Sequence, residues 1–393
     1  MKNKYFYILS LCLILGFSRS TNAFQNEVIK SLNTSITFTS DLFANTSGGN
    51  DTGMRYMDNL DVQIISKWND ISFFAYGLAN HGGSISELTG DIQSVSNIEA
   101  ENSWRLYEVW ANVPIKTLNG SLLVGLYDLN SEFDVINTGG LFLNSSHGIG
   151  PDFSSSGVTG PSIFPYTSLA VRFKVNFMQG FTFKGAILDA VPSDPRNTRG
   201  TKIHIRENEG SLITSEISWN KNLGINRSVE RGVHEGAPIR VVIGIWKYSK
   251  KRVGWDDQLK QDAGIYFIAE GKIFSEMNDI NQGLSVFGRF GAVNAEINQF
   301  KNYYGAGLTY TGLFPHRDKD LFGIAASLPV NGDQYLENSG FNFSDELIAE
   351  FTYLLNVTDK LSLQFDAQYI ANPNQQVNLK DAVLVGLRST ISF

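Results

Sequence analysis

Arg172 and Lys174 stand two residues apart in SLAVRFKVNF (168–177), where Leu169, Val171, Phe173, Val175 and Phe177 alternate with Ser168, Ala170, Arg172, Lys174 and Asn176. In an extended chain that period of two puts both cations on one side and the apolar set on the other. Lys184, Arg289 and Arg388 hold the polar phase of their own segments, as do Gln364 and Asp366 in LSLQFDAQY (361–369). Such residues offer N–H donors and carboxyl or amide acceptors to a polar solute, which is the chemistry of binding. The signatures of catalysis are missing: there is no GxSxG elbow, Walker A loop or GxGxxG fingerprint, and the chain is not expected to be an enzyme. His81, His147, His204, His234 and His316 show neither HxxxH nor HxH spacing and fall in segments read as loops or turns. No metal or cofactor is expected, and His147 in NSSHG is read as making a loop-structuring hydrogen bond.

The segment MKNKYFYILSLCLILGFSRSTNA has two lysines ahead of an apolar stretch and ends on small or polar residues. It reads as a secretory signal peptide cut after Ala23. Cys12, the single cysteine, follows Leu11 rather than the small residue a lipoprotein site needs, so residues 24–393 would carry no disulfide, thiolate metal site or cysteine nucleophile. The cut also removes Lys2, Lys4 and Arg19 and no acid, making the remainder more acidic than the net −7 of the whole chain. Nucleic acid is therefore not an expected partner. Beyond residue 23 there is no run of eighteen apolar residues. Abundant glycine and aromatics with rare helical periodicity leave a soluble β-protein or a closed barrel in an outer membrane.

The alternation recurs in about sixteen segments, near residues 32–41, 58–68, 71–79, 104–114, 121–127, 167–177, 181–190 and 211–219, then 239–249, 263–274, 283–293, 303–312, 321–329, 346–356, 361–370 and 382–393. An even count of such spans suits one antiparallel transmembrane β-barrel, all-β, occupying residues 24–393. Connection lengths agree with that reading. Short turns WND (68–70), MQG (178–180) and TDK (358–360) follow even strands, while 80–103, 128–166, 191–210, 250–262 and 330–345 follow odd ones. Residues 220–238 break the rule, so either that turn is extended or the count is wrong there. The segment LVGLRSTISF (384–393) alternates up to Phe393 and would pair with the first strand; closure matters because backbone facing hydrocarbon must be paired within the protein. Its terminal aromatic resembles the tag by which outer-membrane barrels meet their assembly machinery. The Gly-, Ser- and Pro-containing loop 128–166 is expected to fold into the lumen and narrow the pore.

Several stretches resemble the carbohydrate-selective porins of the OprB type: SVSNIEAENSWRLYEVW (94–110), LLVGLYDLNSEFD (122–134), LFLNSSHGIGPDF (141–153), GPSIFP (160–165), ILDAVPSDP (187–195), YGAGLTYTG (304–312) and LQFDAQYIANP (363–373). The likeness runs from about residue 60 to the end and is weaker before residue 50 and over 220–238. It implies a sixteen-stranded channel in the lipid of a Gram-negative outer membrane that lets monosaccharides such as glucose diffuse inward without energy coupling. A constriction for sugars mixes Arg or Lys donors, carboxylate acceptors and an aromatic plate. Arg172, Lys174 and Arg289 are candidates by phase. Trp104, Arg105 and Glu108 are candidates from the family stretch, although Arg105 has the opposite parity to Trp104 and Glu108. Asp128, Glu132 and Asp134 open the long loop and would either offer acceptors or anchor it.

The rival within transport is a general or anion-preferring porin, since inward cations also attract anions. An exported carbohydrate-binding adhesin or lectin, or a barrel lipase, would be a different class. The sequons at Asn45, Asn119 and Asn144 carry no meaning in an outer-membrane protein.

Overall fold

The computed structural model describes residues 31–194, 197, 200–223, 237–277, 279–339 and 344–393. The signal segment 1–23 lies outside the described residues, as does 224–236 of the irregular stretch. The chain forms β1 (Asn33–Ser47), β2 (Gly53–Trp68), β3 (Ile71–Gly82), β4 (Ser103–Ile115), β5 (Gly120–Tyr127) and β6 (Ser168–Met178). β7 (Phe181–Asp189), β8 (Ser211–Leu223), β9 (Ala237–Tyr248), β10 (Ala263–Ser275) and β11 (Gly283–Val293) follow. β12 (Phe300–Thr311), β13 (Leu321–Asn331), β14 (Leu347–Asn356), β15 (Leu361–Ala371) and β16 (Ala382–Ser392) complete the set. Each pairs antiparallel with its neighbour in sequence, and β16 returns to β1 through pairs running from Thr37↔Ser392 to Ser47↔Val383. The sheet is a closed barrel of sixteen strands with no edge left to pair.

The alternation read from sequence sorts the two faces. Val171, Ile187, Ile217, Ile243, Phe365 and Val385 are exposed on the outer surface, while Arg172, Lys184, Glu216, Glu350 and Gln364 are buried within. No described helix is long and apolar enough to cross a membrane. β8 and β9 pair from Leu212↔Tyr248 to Leu223↔Ala237, so the strand count holds across 220–238 and it is the connection that is long.

Three expectations need correction. β1 runs to Ser47 and β2 starts at Gly53, well beyond 32–41 and 58–68, because Asn45, Thr46 and Ser47 keep strand geometry where the pattern turns polar. His81 lies in β3 rather than a loop. The inner face is also drier than expected for a wall facing water. Leu129, Phe133, Ile136, Phe142, Ile149 and Phe153 of the β5–β6 connection pack with Trp246, Tyr266 and Phe287 of the strands in one apolar cluster.

Candidate functional site

The connection from Asp128 to Thr167 enters the barrel and runs along the wall made by β7 to β15. Short helical turns at Leu129–Ser131, Thr138–Leu141, Ser145–His147 and Pro151–Ser154 shape it, and their few internal hydrogen bonds leave other backbone N–H groups of the loop to find partners on the wall. At this depth unpaired N–H groups are costly, and wall carboxylates accept them. The Asp134 N–H donates to Glu216 (3.0 Å), Thr138 N–H to Glu270 (2.8 Å), and Leu143 and Asn144 N–H to the two oxygens of Glu350 (2.6 and 3.1 Å). Near the loop's return, the Gly157 N–H donates to Asp262 (2.8 Å).

Two of those carboxylates, Glu216 and Glu270, are in turn neutralised by cations of the same wall. Lys184 Nζ lies 2.6 Å from Glu216, and Arg240 lies 2.7 Å from Glu270. Arg289 on β11 takes two loop carboxylates at once: Nε and Nη2 donate to Asp134 (2.8 and 2.6 Å), and Nη1 and Nη2 donate to Asp152 (2.7 and 3.2 Å). Its guanidinium also sits over the rings of Tyr303 (4.9 Å) and Tyr266 (5.7 Å). All three charged side chains are fully buried. Two glycines make room: a Cβ on Gly150 would lie 2.2 Å from Arg289 Nη1, and one on Gly291 would lie 1.9 Å from Asp152.

The opposite wall, β2 to β6, is left more open. A bulge decides its geometry. Tyr76 of β3 pairs with Glu108 while the adjacent Gly77 pairs with Leu106, so Tyr107 is an extra residue and the facing of β4 shifts there. Ser103, Arg105 and Tyr107 point inward before the shift and Glu108 after it, which removes the parity conflict between Arg105 and Glu108. Trp104 stays on the outer face, 69% exposed, with its indole N–H donating to His81 Nε2 (3.1 Å). It therefore cannot be the aromatic plate of the lumen.

The aromatic pair that does lie on the inner face is not among the candidates read from the sequence. Phe74 of β3 and Trp110 of β4 are directly paired, half-buried and stacked, with centroids 4.9 Å apart and planes at 28°. Beside them Glu108 Oε1 accepts from the Trp110 indole (3.2 Å) and from the Asp128 N–H (3.0 Å). Tyr76 donates to Asp61 (2.5 Å), and Tyr107 donates to Asp128 (2.8 Å). Burial pushes the Asp128 carboxyl up to about 6, against the opposing Tyr107 hydrogen bond. Across this corner Glu132 meets Arg172 (2.6 Å) and Lys174 (3.5 Å) and accepts from Tyr127 (2.8 Å). Burial raises the Glu132 pKa, but Arg172, Tyr127 and Lys174 outweigh it and hold the carboxyl below its usual range. The Lys174 side chain keeps 39% of its surface exposed and Glu132 keeps 22%, whereas Arg172 is nearly enclosed.

The candidates thus fall into separate groups. Glu108 and Asp128 adjoin the aromatic pair, Glu132, Arg172 and Lys174 form one ionic cluster, and Asp134 and Arg289 belong to the buried anchor. Arg105 stands apart, donating to the Pro165 carbonyl (2.8 Å) and to Ser103. The His147 N–H donates to the Asn144 carbonyl (3.2 Å), but its ring makes no hydrogen bond among the described residues, with Nε2 3.7 Å from Glu350. Its ring packs between Phe142 (5.0 Å) and Phe287 (6.0 Å), and burial holds its pKa down at about 3, so it is neutral. Glu216, Glu270 and Glu350 could have been found by the same phase rule that found Arg172. Asp152 and the facing of β4 carried no such signal.

The chain is similar to known channels. Porin B of Pseudomonas aeruginosa is 24% identical over 411 residues, covering 89% of this chain and 85% of that protein. The high-pH structure of Pseudomonas putida OprB superposes with a TM-score of 0.80 at 19% identity, covering 96% of this chain and 97% of the other. The outer membrane channel DcaP of Acinetobacter baumannii has the same fold at a TM-score of 0.54 and 12% identity, covering 92% and 97%. The family model described as carbohydrate-selective porin, OprB family, matches residues 54–393. With the closed barrel and its inserted loop, that match establishes that the chain belongs to the OprB family of carbohydrate-selective porins, sugar-passing channels of the Gram-negative outer membrane.

Proposed function

We propose that small sugars such as glucose cross this pore along the β2–β6 wall, where the Phe74–Trp110 pair presents a flat apolar face and Glu108, Glu132 and Lys174 present acceptors and a donor. The observation that carries this reading is the half-exposed aromatic stack beside a carboxylate, which matches the C–H faces and hydroxyls of a pyranose. Arg172, Asp128 and Arg105 hold that corner in shape. Arg289 and Asp134 act at a distance by fixing the loop. Passage is passive and no bond is made or broken.

The same reading includes three partners or processing steps: removal of residues 1–23 on export, leaving 24–393 as one barrel; lipid around the outer apolar belt; and engagement of the β16 strand ending at Phe393 by the barrel-assembly machinery. Single-channel conductance in a planar bilayer, titrated with glucose against a non-sugar osmolyte, tests the central claim. Saturable block by glucose alone, weakened in Trp110→Ala, is expected. Conductance without selective block, or block unaltered by that substitution, would move the sugar path elsewhere. Reversal potentials in a salt gradient test the anion-preferring alternative.

A further inference from the structure

Charged side chains at the long-loop end of the barrel are mostly consumed by their neighbours. Asp256 is taken by Lys260 (2.8 Å), Asp262 by Arg252 (2.7 Å), and Glu209 by Lys202 (2.8 Å) and Arg206 (3.3 Å). Lys247, Lys250 and Lys251 are different. All three are exposed, and among the described residues no carboxylate lies within ion-pair distance of them.

Their placement follows from the strand. Ile243 and Ile245 are exposed on the outward phase of β9, and Lys247 continues that phase toward the loop. Lys247 is paired directly with Ile213 of β8 and Ala263 of β10, and Ile245 with Ile265. Just past the strand, Ser249 is pinned to β8: its N–H donates to the Ser211 carbonyl and its Oγ accepts from the Ser211 N–H, both at 2.8 Å. Lys250 is held across Gly210, where an added Cβ would lie 2.5 Å from its Cγ. Lys247 therefore ends an aliphatic strip of Ile213, Ile243, Ile245 and Ile265 on the outer surface, with Lys250 and Lys251 exposed just beyond it in the chain. Water alone would suit the lysines and hydrocarbon alone the isoleucines; an amphiphile with anionic groups at one level and acyl chains below suits both.

We propose that Lys247, Lys250 and Lys251 bind the phosphate groups of an outer-leaflet lipid whose acyl chains lie along that strip. The long connections mark this end as the outer face of the membrane. The lipid is held on the outside of the barrel, so its binding is independent of the sugar path.

The test is native mass spectrometry of the full barrel in non-ionic detergent, titrated with bisphosphorylated lipid A. The Lys247→Gln/Lys250→Gln/Lys251→Gln variant should bind about tenfold more weakly or worse. A charge-matched control, Lys67→Gln/Lys116→Gln/Lys360→Gln at the turn end, should bind like the parent. Replacing the three outer lysines by arginine should preserve binding, which separates loss of charge from misfolding. Equal binding by the two glutamine variants, undiminished binding of dephosphorylated lipid, or displacement of the lipid by equimolar inorganic phosphate would each overturn the proposal.

Discussion

On the β7–β14 wall, Lys184, Arg240 and Arg289 are locked against Glu216, Glu270, Asp134 and Asp152, with the loop backbone filling the remaining acceptor positions. On the β2–β6 wall, Lys174 and Glu132 are 3.5 Å apart and both keep surface open, and the aromatic pair beside them is half-exposed. The residue types are the same and the phase rule places them alike. What differs is enclosure: Glu216 and Glu270 hold a cation and a loop N–H with almost no surface left, whereas Glu132 and Lys174 keep surface open, although Glu108 beside them also accepts a loop N–H. A charged lumen residue is open to a solute only where the loop leaves part of its surface uncovered, so the loop's path bears on where a solute can be met as much as the charge of the wall does.

Substitutions can break this contrast from either side. Arg289→Ala strands two buried carboxylates and should cost about 3–5 kcal/mol, seen as loss of the heat-resistant barrel band and as a wider, unselective conductance. A stable variant with unchanged conductance would show that the anchor does not hold the loop. His147 comes next. Its folded pKa of about 3 lies below the ordinary 6.5, so the unfolded or undocked loop takes the proton first and stability is lost as pH falls below 6.5. At pH 5 the native state should be about 2 kcal/mol weaker than at pH 8 on this account, and His147→Leu should remove that slope in denaturant titrations. On the open wall, Glu108→Gln should weaken glucose block about tenfold with the melting temperature nearly unchanged. The smallest effect is expected for Trp104→Ala, which should leave glucose block as it was because its ring lies outside the barrel; a changed block constant would place the outer face in contact with the pore.

Most of the fold was legible because strand phase and connection length are local properties. Ile213, Ile217 and Glu216 reveal their faces within seven residues. The site was legible only in part, for two physical reasons. The Tyr107 bulge shifts facing without any change in residue type, so Trp104 and Glu108 shared a phase on paper and oppose each other in space. The assignment of Arg289 as anchor rather than ligand depends on Asp134 and Asp152, more than 130 residues away in sequence. Phase could reveal that Phe74 and Trp110 share an inner face, yet their stacking depends on pairing between strands 36 residues apart.

The loop's acceptors also set an order of assembly. Asp134 N–H waits for Glu216, Thr138 for Glu270, and Leu143 for Glu350, which is 207 residues further along the chain. Each N–H can be satisfied only by water until its own strand is present, β8 for Asp134, β10 for Thr138 and β14 for Leu143, so the last part of the constriction is seated after the wall that receives it. A newly inserted barrel should therefore pass through a leaky stage, with a wide wet lumen, before it narrows into a selective channel.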